Sequence, residues 1–284
     1  MRLKSPAYID RIEKKYQIGI SESDVAELWR DLSSYLPRYG LTPVQQITSI
    51  GSVYFDNPDY DLLRYTLLIE RGYIHVRLRA YEYFGVPPEP ISDYWMEVKI
   101  KEMERTRKKR LRIKRENFAE FFVGKDAGSR LLDYNQEGAP PEVIRSLYRE
   151  SQETLVTLGL KPILLVTYKR VAFQNESERI SLDWDTQYYH VGTSVYFYDS
   201  WKYLTERPVG KAEKTFLEFK YPQGNRSAWI EDLQRRYPIW EERNHSKFVE
   251  GMGFLFQRPL RHHREANSFI RMIEDHTGDG KHLL

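Results

Sequence analysis

Several stretches of this chain alternate strictly between apolar and charged residues. Val76 and Leu78 separate His75, Arg77 and Arg79, and Val98 and Ile100 separate Glu97, Lys99 and Lys101. Leu111 and Ile113 separate Arg110, Arg112 and Lys114 in a run that begins at Lys108, and Phe219 separates Glu218 from Lys220. A β-strand sends successive side chains to opposite faces. Each stretch therefore predicts a strand with one apolar face and one charged face, and most of the charged positions are cations.

The flanking sequence extends this pattern. Residues 9–18 predict a strand that carries Arg11, Glu13 and Lys15 on one face. Val25, Leu28, Trp29, Leu32 and Leu36 recur at helical spacing after Ser21 and Asp24, and Pro37 and Gly40 end that helix. Strands are expected at 47–55, 73–83, 94–101 and 106–114, the last two close enough to pair as a hairpin, with a short helix after Pro58 and a loop at 84–90. Residues 116–158 read as mainly helical, with Pro140 and Pro141 opening the last helix. Strands resume at 163–173, 179–185, 194–198 and 214–221, and two helices follow Ser227 and Ser246. Few long helices separate paired strands, which predicts an α+β fold with a mainly antiparallel sheet whose apolar face the helices cover. Residues 1–260 are expected to form one domain, and 261–284 a polar, loosely attached helical tail.

Composition narrows the class. The 284 residues are 40% hydrophobic and 30% charged, as in a globular chain with a sizeable core. There is no cysteine, so disulfides and thiolate metal sites are excluded. No apolar run approaches the roughly 20 residues of a membrane span, and the N-terminus shows no signal-peptide core; the expectation is a cytoplasmic protein or part of a membrane complex. The net charge of +3 would not by itself suggest a polyanion ligand.

The arrangement of the charges does suggest one. Two like charges about 8 Å apart cost roughly 2 kcal/mol at an effective dielectric of 20. Many such pairs on one surface would rival the roughly 5–15 kcal/mol stability of a domain. A face so rich in cations persists only if it is open to water or neutralised by a bound anion. Arginine forks match phosphate oxygens two at a time; Arg77 and Arg79 share a face, and Arg110, Arg170 and Arg179 come from other strands. Glu218 beside Lys220 and Glu13 beside Lys15 are either internal salt bridges or ligands for a hard divalent cation completed by phosphate oxygens. His75 lies on the cationic face, and His262 and His263 read as a surface pair. No P-loop or G-x-G-x-x-G motif is present and no nucleophile set stands out, which argues against P-loop NTPases and kinases. The abundant aromatics form no recognisable RNA-binding signature, and no nucleic-acid partner is expected.

The order of these segments resembles a known family. Arg11, Glu13, Lys15 and Tyr16, then Ser52 to Asp56, then Val76 to Arg79 resemble the start of a VTC domain, the polyphosphate polymerase domain of the vacuolar transporter chaperone. Met96 to Lys99, Lys108 to Arg110, Thr167 to Phe173, Glu178 to Asp183, Leu217 to Lys220 and Ser246 to Phe248 follow in the family's order. The resemblance implies a triphosphate tunnel of about eight antiparallel strands, closed so that no sheet edge stays open, with helices outside. It implies tunnel cations at Lys15, Arg77, Arg79, Lys99, Lys108, Arg110, Arg170, Arg179 and Lys247, with Lys220 beside the metal-binding glutamate, Glu218. Glu13 is a second candidate metal ligand. Arg11 stands where the adenylate cyclase and thiamine triphosphatase branch has a glutamate, which favours the VTC branch. The implied activity is ATP-dependent polyphosphate synthesis with Mn²⁺ or Mg²⁺, with ATP and inorganic polyphosphate as partners and a membrane-protein partner not visible in the sequence. The alternatives are a metal-dependent tripolyphosphatase of the same fold and a non-catalytic polyphosphate-binding module.

Overall fold

In the computed structural model, which describes residues 11–44, 47–69, 72–83, 93–102, 105–125, 135, 140–191, 207–222, 228–242 and 245–278, the alternating stretches form one antiparallel sheet. Its strands are β1 (Arg11–Ile18), β2 (Thr42–Pro43), β3 (Thr48–Asp56), β4 (Tyr73–Tyr83), β5 (Asp93–Glu102), β6 (Arg105–Lys114), β7 (Lys161–Gln174), β8 (Arg179–His190), β9 (Gly210–Lys211), β10 (Thr215–Pro222) and β11 (Ile239–Glu241). Their order across the sheet is β11-β1-β10-β8-β7-β3-β4-β5-β6, with β2 paired to β7 and β9 to β8. The expected hairpin is β5–β6, with Glu97 opposite Arg110 and Lys99 opposite Lys108. The loop expected at 84–90 and the strand expected at 194–198 lie outside the described residues, as does the cap expected at Ser227.

The helices are α1 (Val25–Tyr35), α2 (Asp61–Leu68), α3 (Phe118–Phe122), α4 (Pro141–Thr157), α5 (Ala228–Arg236), α6 (Lys247–Gln257) and α7 (Ala266–Thr277). Four of them cover the outer, apolar face, as alternation requires. Leu28 and Leu32 of α1 and Trp229, Ile230 and Leu233 of α5 pack on Tyr16, Leu182, Leu217 and Phe219. Phe118 and Phe121 of α3 and Ile144, Tyr148 and Leu155 of α4 pack on Val76, Leu78, Met96 and Leu111.

The other three helices depart from the expectation that helices sit on one face only. Ile50 and Tyr54 of β3 share the face of Ser52, opposite to Val53 and Phe55. They join Leu164, Val166, Tyr168 and Tyr188 in a core with α2, α6 and α7. Helix α6 lies directly on this inner face: a Cβ added at Gly251 would come within 2.6 Å of Leu164 and 2.7 Å of Tyr188. Ser246 caps α6 by accepting from the Val249 N–H. Asp56 fixes the entry to α2, accepting from the backbone N–H groups of Asn57, Leu62 and Leu63 at 2.9–3.0 Å. The tail helix α7 is not loosely attached. Ala266, Phe269 and Ile273 are buried in this third core, with Phe269 stacked on Phe256 at 4.8 Å.

The sheet curls until its two halves meet. Lys99 on β5 reaches Glu13 on β1 at 3.1 Å, although five strands separate β1 from β5 in the sheet order. The result is an antiparallel tunnel with four helices outside it and α6 against its inner face. One expectation needs correcting: no backbone ladder joins β6 to β1 or β11 among the described residues, so side chains bridge the seam instead of a closing strand pair.

Candidate active site

Register places the predicted cations on the concave face. Arg79 lies opposite Ser52, and Arg77 lies opposite Tyr54 and Glu97. Lys15 faces Glu218, Glu13 faces Lys220, and Lys220 faces Arg179. Arg170 faces Asp183 across β7 and β8. Lys247 enters from the first turn of α6. Residues directly opposite in an antiparallel pair share a face, so Lys15, Arg77, Arg79, Lys99, Lys108, Arg110, Arg170, Arg179, Lys220 and Lys247 converge. The four carboxylates Glu13, Glu97, Asp183 and Glu218 accompany them.

Each carboxylate organises a group of cations. Glu97, wholly buried, has Arg77 at 2.7 Å, Lys108 at 2.7 Å, Arg110 at 3.2 Å and Arg79 at 3.8 Å. Burial pushes its carboxyl up, but Lys108, Arg77, Arg79 and Arg110 outweigh that and hold it well below the usual range. Asp183 accepts a bidentate pair from Arg170 at 2.5 and 2.7 Å and a third bond from Lys247 at 2.7 Å. Against the upward push of burial, Arg170 and Lys247 lower Asp183 to about 2. Glu13 and Glu218 share Lys220, at 3.4 and 3.3 Å, and Arg170 stands 3.5 Å from Glu218. Burial and the neighbouring Lys247 lower Lys15 to about 7, and its Nζ donates to the His245 carbonyl.

An aromatic layer backs the cations. Tyr54 accepts from Arg77 and Tyr81 from Arg110, both at 3.0 Å. Arg110 also lies 3.7 Å over the Trp95 ring, and Tyr168 underlies Arg170 and Lys247. Deeper in, Phe248 of α6 stacks on Tyr54 and meets His75, while His245 stacks on Phe216 at 3.7 Å. Burial first, then Arg77, Lys99 and Lys15, lower His75 well below the ordinary histidine value; His245 is lowered likewise, by burial, Lys15 and Lys247. Glu97 and Asp183 as hubs, and this aromatic layer, were not among the predicted site residues. The sequence did carry a signal for two of them: Glu97 alternates in phase with Lys99, and Asp183 with Arg179.

The carboxylates also bear on a metal site. No group of three or more His, Cys, Asp or Glu stands together among the described residues. Mg²⁺-type sites need only one or two carboxylates when phosphate oxygens and waters complete them. Glu218 and Glu13 fit that chemistry, since both already neutralise one shared cation, the Lys220 ammonium. A divalent ion there would compete with Lys220.

With this geometry in view, the comparisons with known proteins are specific. The family described as the VTC domain matches residues 10–256. The chain belongs to the VTC domain family. The vacuolar transporter chaperone complex subunit 4 of Trypanosoma brucei brucei is 26% identical over 257 residues, covering 79% of this chain and 31% of that protein. This VTC domain thus spans under a third of that relative's length. Among solved structures, HpAC1 of Hippeastrum, described as having a dominant triphosphatase activity, is 14% identical with a TM-score of 0.40, covering 85% of this chain and 95% of that one. The PH1819 protein of Pyrococcus horikoshii is 13% identical with a TM-score of 0.39, covering 84% and 96%. Scores this low carry no weight for function, and the fold rests on the strand register above.

Proposed function

We propose that this VTC domain is a polyphosphate polymerase that transfers the γ-phosphate of ATP onto the end of a growing polyphosphate chain inside the tunnel. The observation that carries this reading is the excess of cations on the concave face, where ten meet four carboxylates and the forks of Arg77, Arg79 and Arg170 are each already oriented by a bonded partner. Such a surface favours a ligand with closely spaced negative charges.

Phosphoryl transfer proceeds through a loose transition state with charge spread over oxygens, so positioning and electrostatics supply most of the catalysis. In the proposed reaction an oxygen of the chain's terminal phosphate attacks the γ-phosphorus, and the bond to the ADP oxygen breaks. Arg77, Arg79, Arg170 and Arg179 screen the repulsion between the two anions, and Lys99 stands with them. Lys15, Lys108, Arg110, Lys220 and Lys247 hold the chain in line. The attacking oxygen is already ionised, so no side chain has to act as a base. A bound Mn²⁺ or Mg²⁺ at Glu218, with Glu13 beside it, would neutralise charge on the transferring phosphates.

The test is Glu218→Gln, assayed for ADP release from ATP and for tripolyphosphate binding without metal. Turnover is expected to vanish while tripolyphosphate binding is kept or tightened, because the change removes a negative charge from the cationic face. An unaffected rate removes Glu218 from the mechanism.

A further inference from the structure

Glu97 stands out because it works against the ligand. Any anion in the tunnel is repelled by it, and a site built only for affinity would place a neutral residue there. Yet the chain buries this carboxylate completely, and charged groups are seldom fully buried unless paired. Its two oxygens are used differently. Oε2 receives Arg77 through Nε at 2.8 Å, while the other end of that guanidinium donates to Tyr54, so the plane of the fork is fixed. Oε1 meets Lys108 and Arg110 at ion-pair distance but outside hydrogen-bond alignment. Charge therefore holds Lys108, whose partly exposed ammonium keeps donors for a phosphate, while Arg110 is also fixed by Tyr81 and Trp95. Arg79 is anchored mainly through Ser52, which accepts from its Nε at 3.0 Å, and stands farther from Glu97, at 3.8 Å.

We propose that Glu97 is a positioning residue: it touches no substrate, sets the directions of Arg77, Lys108 and Arg110 on the two strands that flank its own, and weakens ground-state binding so that the oriented cations favour transfer over retention. This rests on the phosphoanion reading of the tunnel and adds a residue to it. The physical basis is that only interactions stronger in the transition state than in the ground state raise kcat. Oriented forks meet that condition, and an extra uncompensated positive charge does not. Misplacement of catalytic groups by an ångström can cost on the order of a hundredfold in rate.

The experiment uses Glu97→Gln and Glu97→Asp, with kcat from ADP release under ATP and Mn²⁺ and Kd from calorimetric titration of inorganic tripolyphosphate. Glu97→Gln is expected to lower kcat at least about tenfold and to tighten tripolyphosphate binding by about tenfold, an opposition of signs that a merely structural residue would not give. Glu97→Asp keeps the charge on a shorter arm, so kcat falls at least about fivefold while Kd stays within about threefold. An unchanged kcat in either variant, or weaker binding in Glu97→Gln, overturns the inference. If Glu97→Gln does not fold, the aspartate variant alone decides it. A wild-type protein that binds no tripolyphosphate overturns the tunnel reading and this inference with it. Wild-type binding and turnover with variants that behave like it overturn this inference alone.

Discussion

Replacing Asp183 by Asn should destabilise the protein by an amount its contacts specify. Asp183 is 3% exposed and holds three charge-assisted bonds, two from Arg170 and one from Lys247. Its carboxyl is lowered from 3.8 to about 2. At 1.36 kcal/mol per unit, that shift corresponds to roughly 2–3 kcal/mol of stability. The sign follows from the direction. A carboxylate whose folded value lies below its unfolded value contributes fully above the unfolded value, and the contribution is lost as pH falls toward the folded one. Removing one partner of a buried pair leaves the others uncompensated, at about 3–5 kcal/mol. The loss is about 3 kcal/mol, which for a chain of this size lowers Tm by roughly 6–12 °C. The assay is urea denaturation near neutral pH, repeated with excess tripolyphosphate. The anion should stabilise Asp183→Asn more than wild type, because it supplies the negative charge that Arg170 and Lys247 have lost. The reasoning is refuted if the variant lies within about 0.5 kcal/mol of wild type, the range of ordinary surface changes, or if the anion stabilises both proteins equally.

His75 is packed among Tyr54, Tyr73 and Phe248 and faces the cations Arg77, Lys99 and Lys15. It stays neutral well below its ordinary value of 6.5, so folding loses stability as pH drops below 6.5. His75→Gln should therefore lose about 1 kcal/mol less than wild type between about pH 7.5 and 5.5 in urea melts, and parallel curves would count against it. Phe248 is 1% exposed and joins α6 to Tyr54 and His75. Phe248→Ala should cost about 3–5 kcal/mol by denaturant midpoint, and a loss under 1 kcal/mol would show that α6 is not a fixed wall of the tunnel.

The strands that carry the site were legible because alternation reports burial directly: β4, β5, β6 and β10 each show apolar residues on one phase and charge on the other. The same pattern placed the predicted cations on one face. It could not reveal which cations share a carboxylate, because that depends on register between strands distant in sequence. Lys247 and Asp183 meet at 2.7 Å although 64 residues separate them. Glu97 read as one more charge in a mixed strand, and only the approach of β4 and β6 makes it a hub. The Ser246 cap marked the start of α6 but not which side of the sheet it would cover. For α7 the signal was present, since Ala266, Phe269 and Ile273 recur at helical intervals, but the polar surroundings of the tail hid it. The two- and three-residue strands β2, β9 and β11 are too short to show any period.

A polymerase is defined by the acceptor of the transferred phosphate, which must be another phosphate. Incubation of the purified protein with ATP and Mn²⁺ or Mg²⁺, with products resolved by gel electrophoresis, measures it directly. The predicted result is long, acid-labile polyphosphate that accumulates in proportion to ADP. Release of ADP and free phosphate alone would make water the acceptor and would contradict the polymerase.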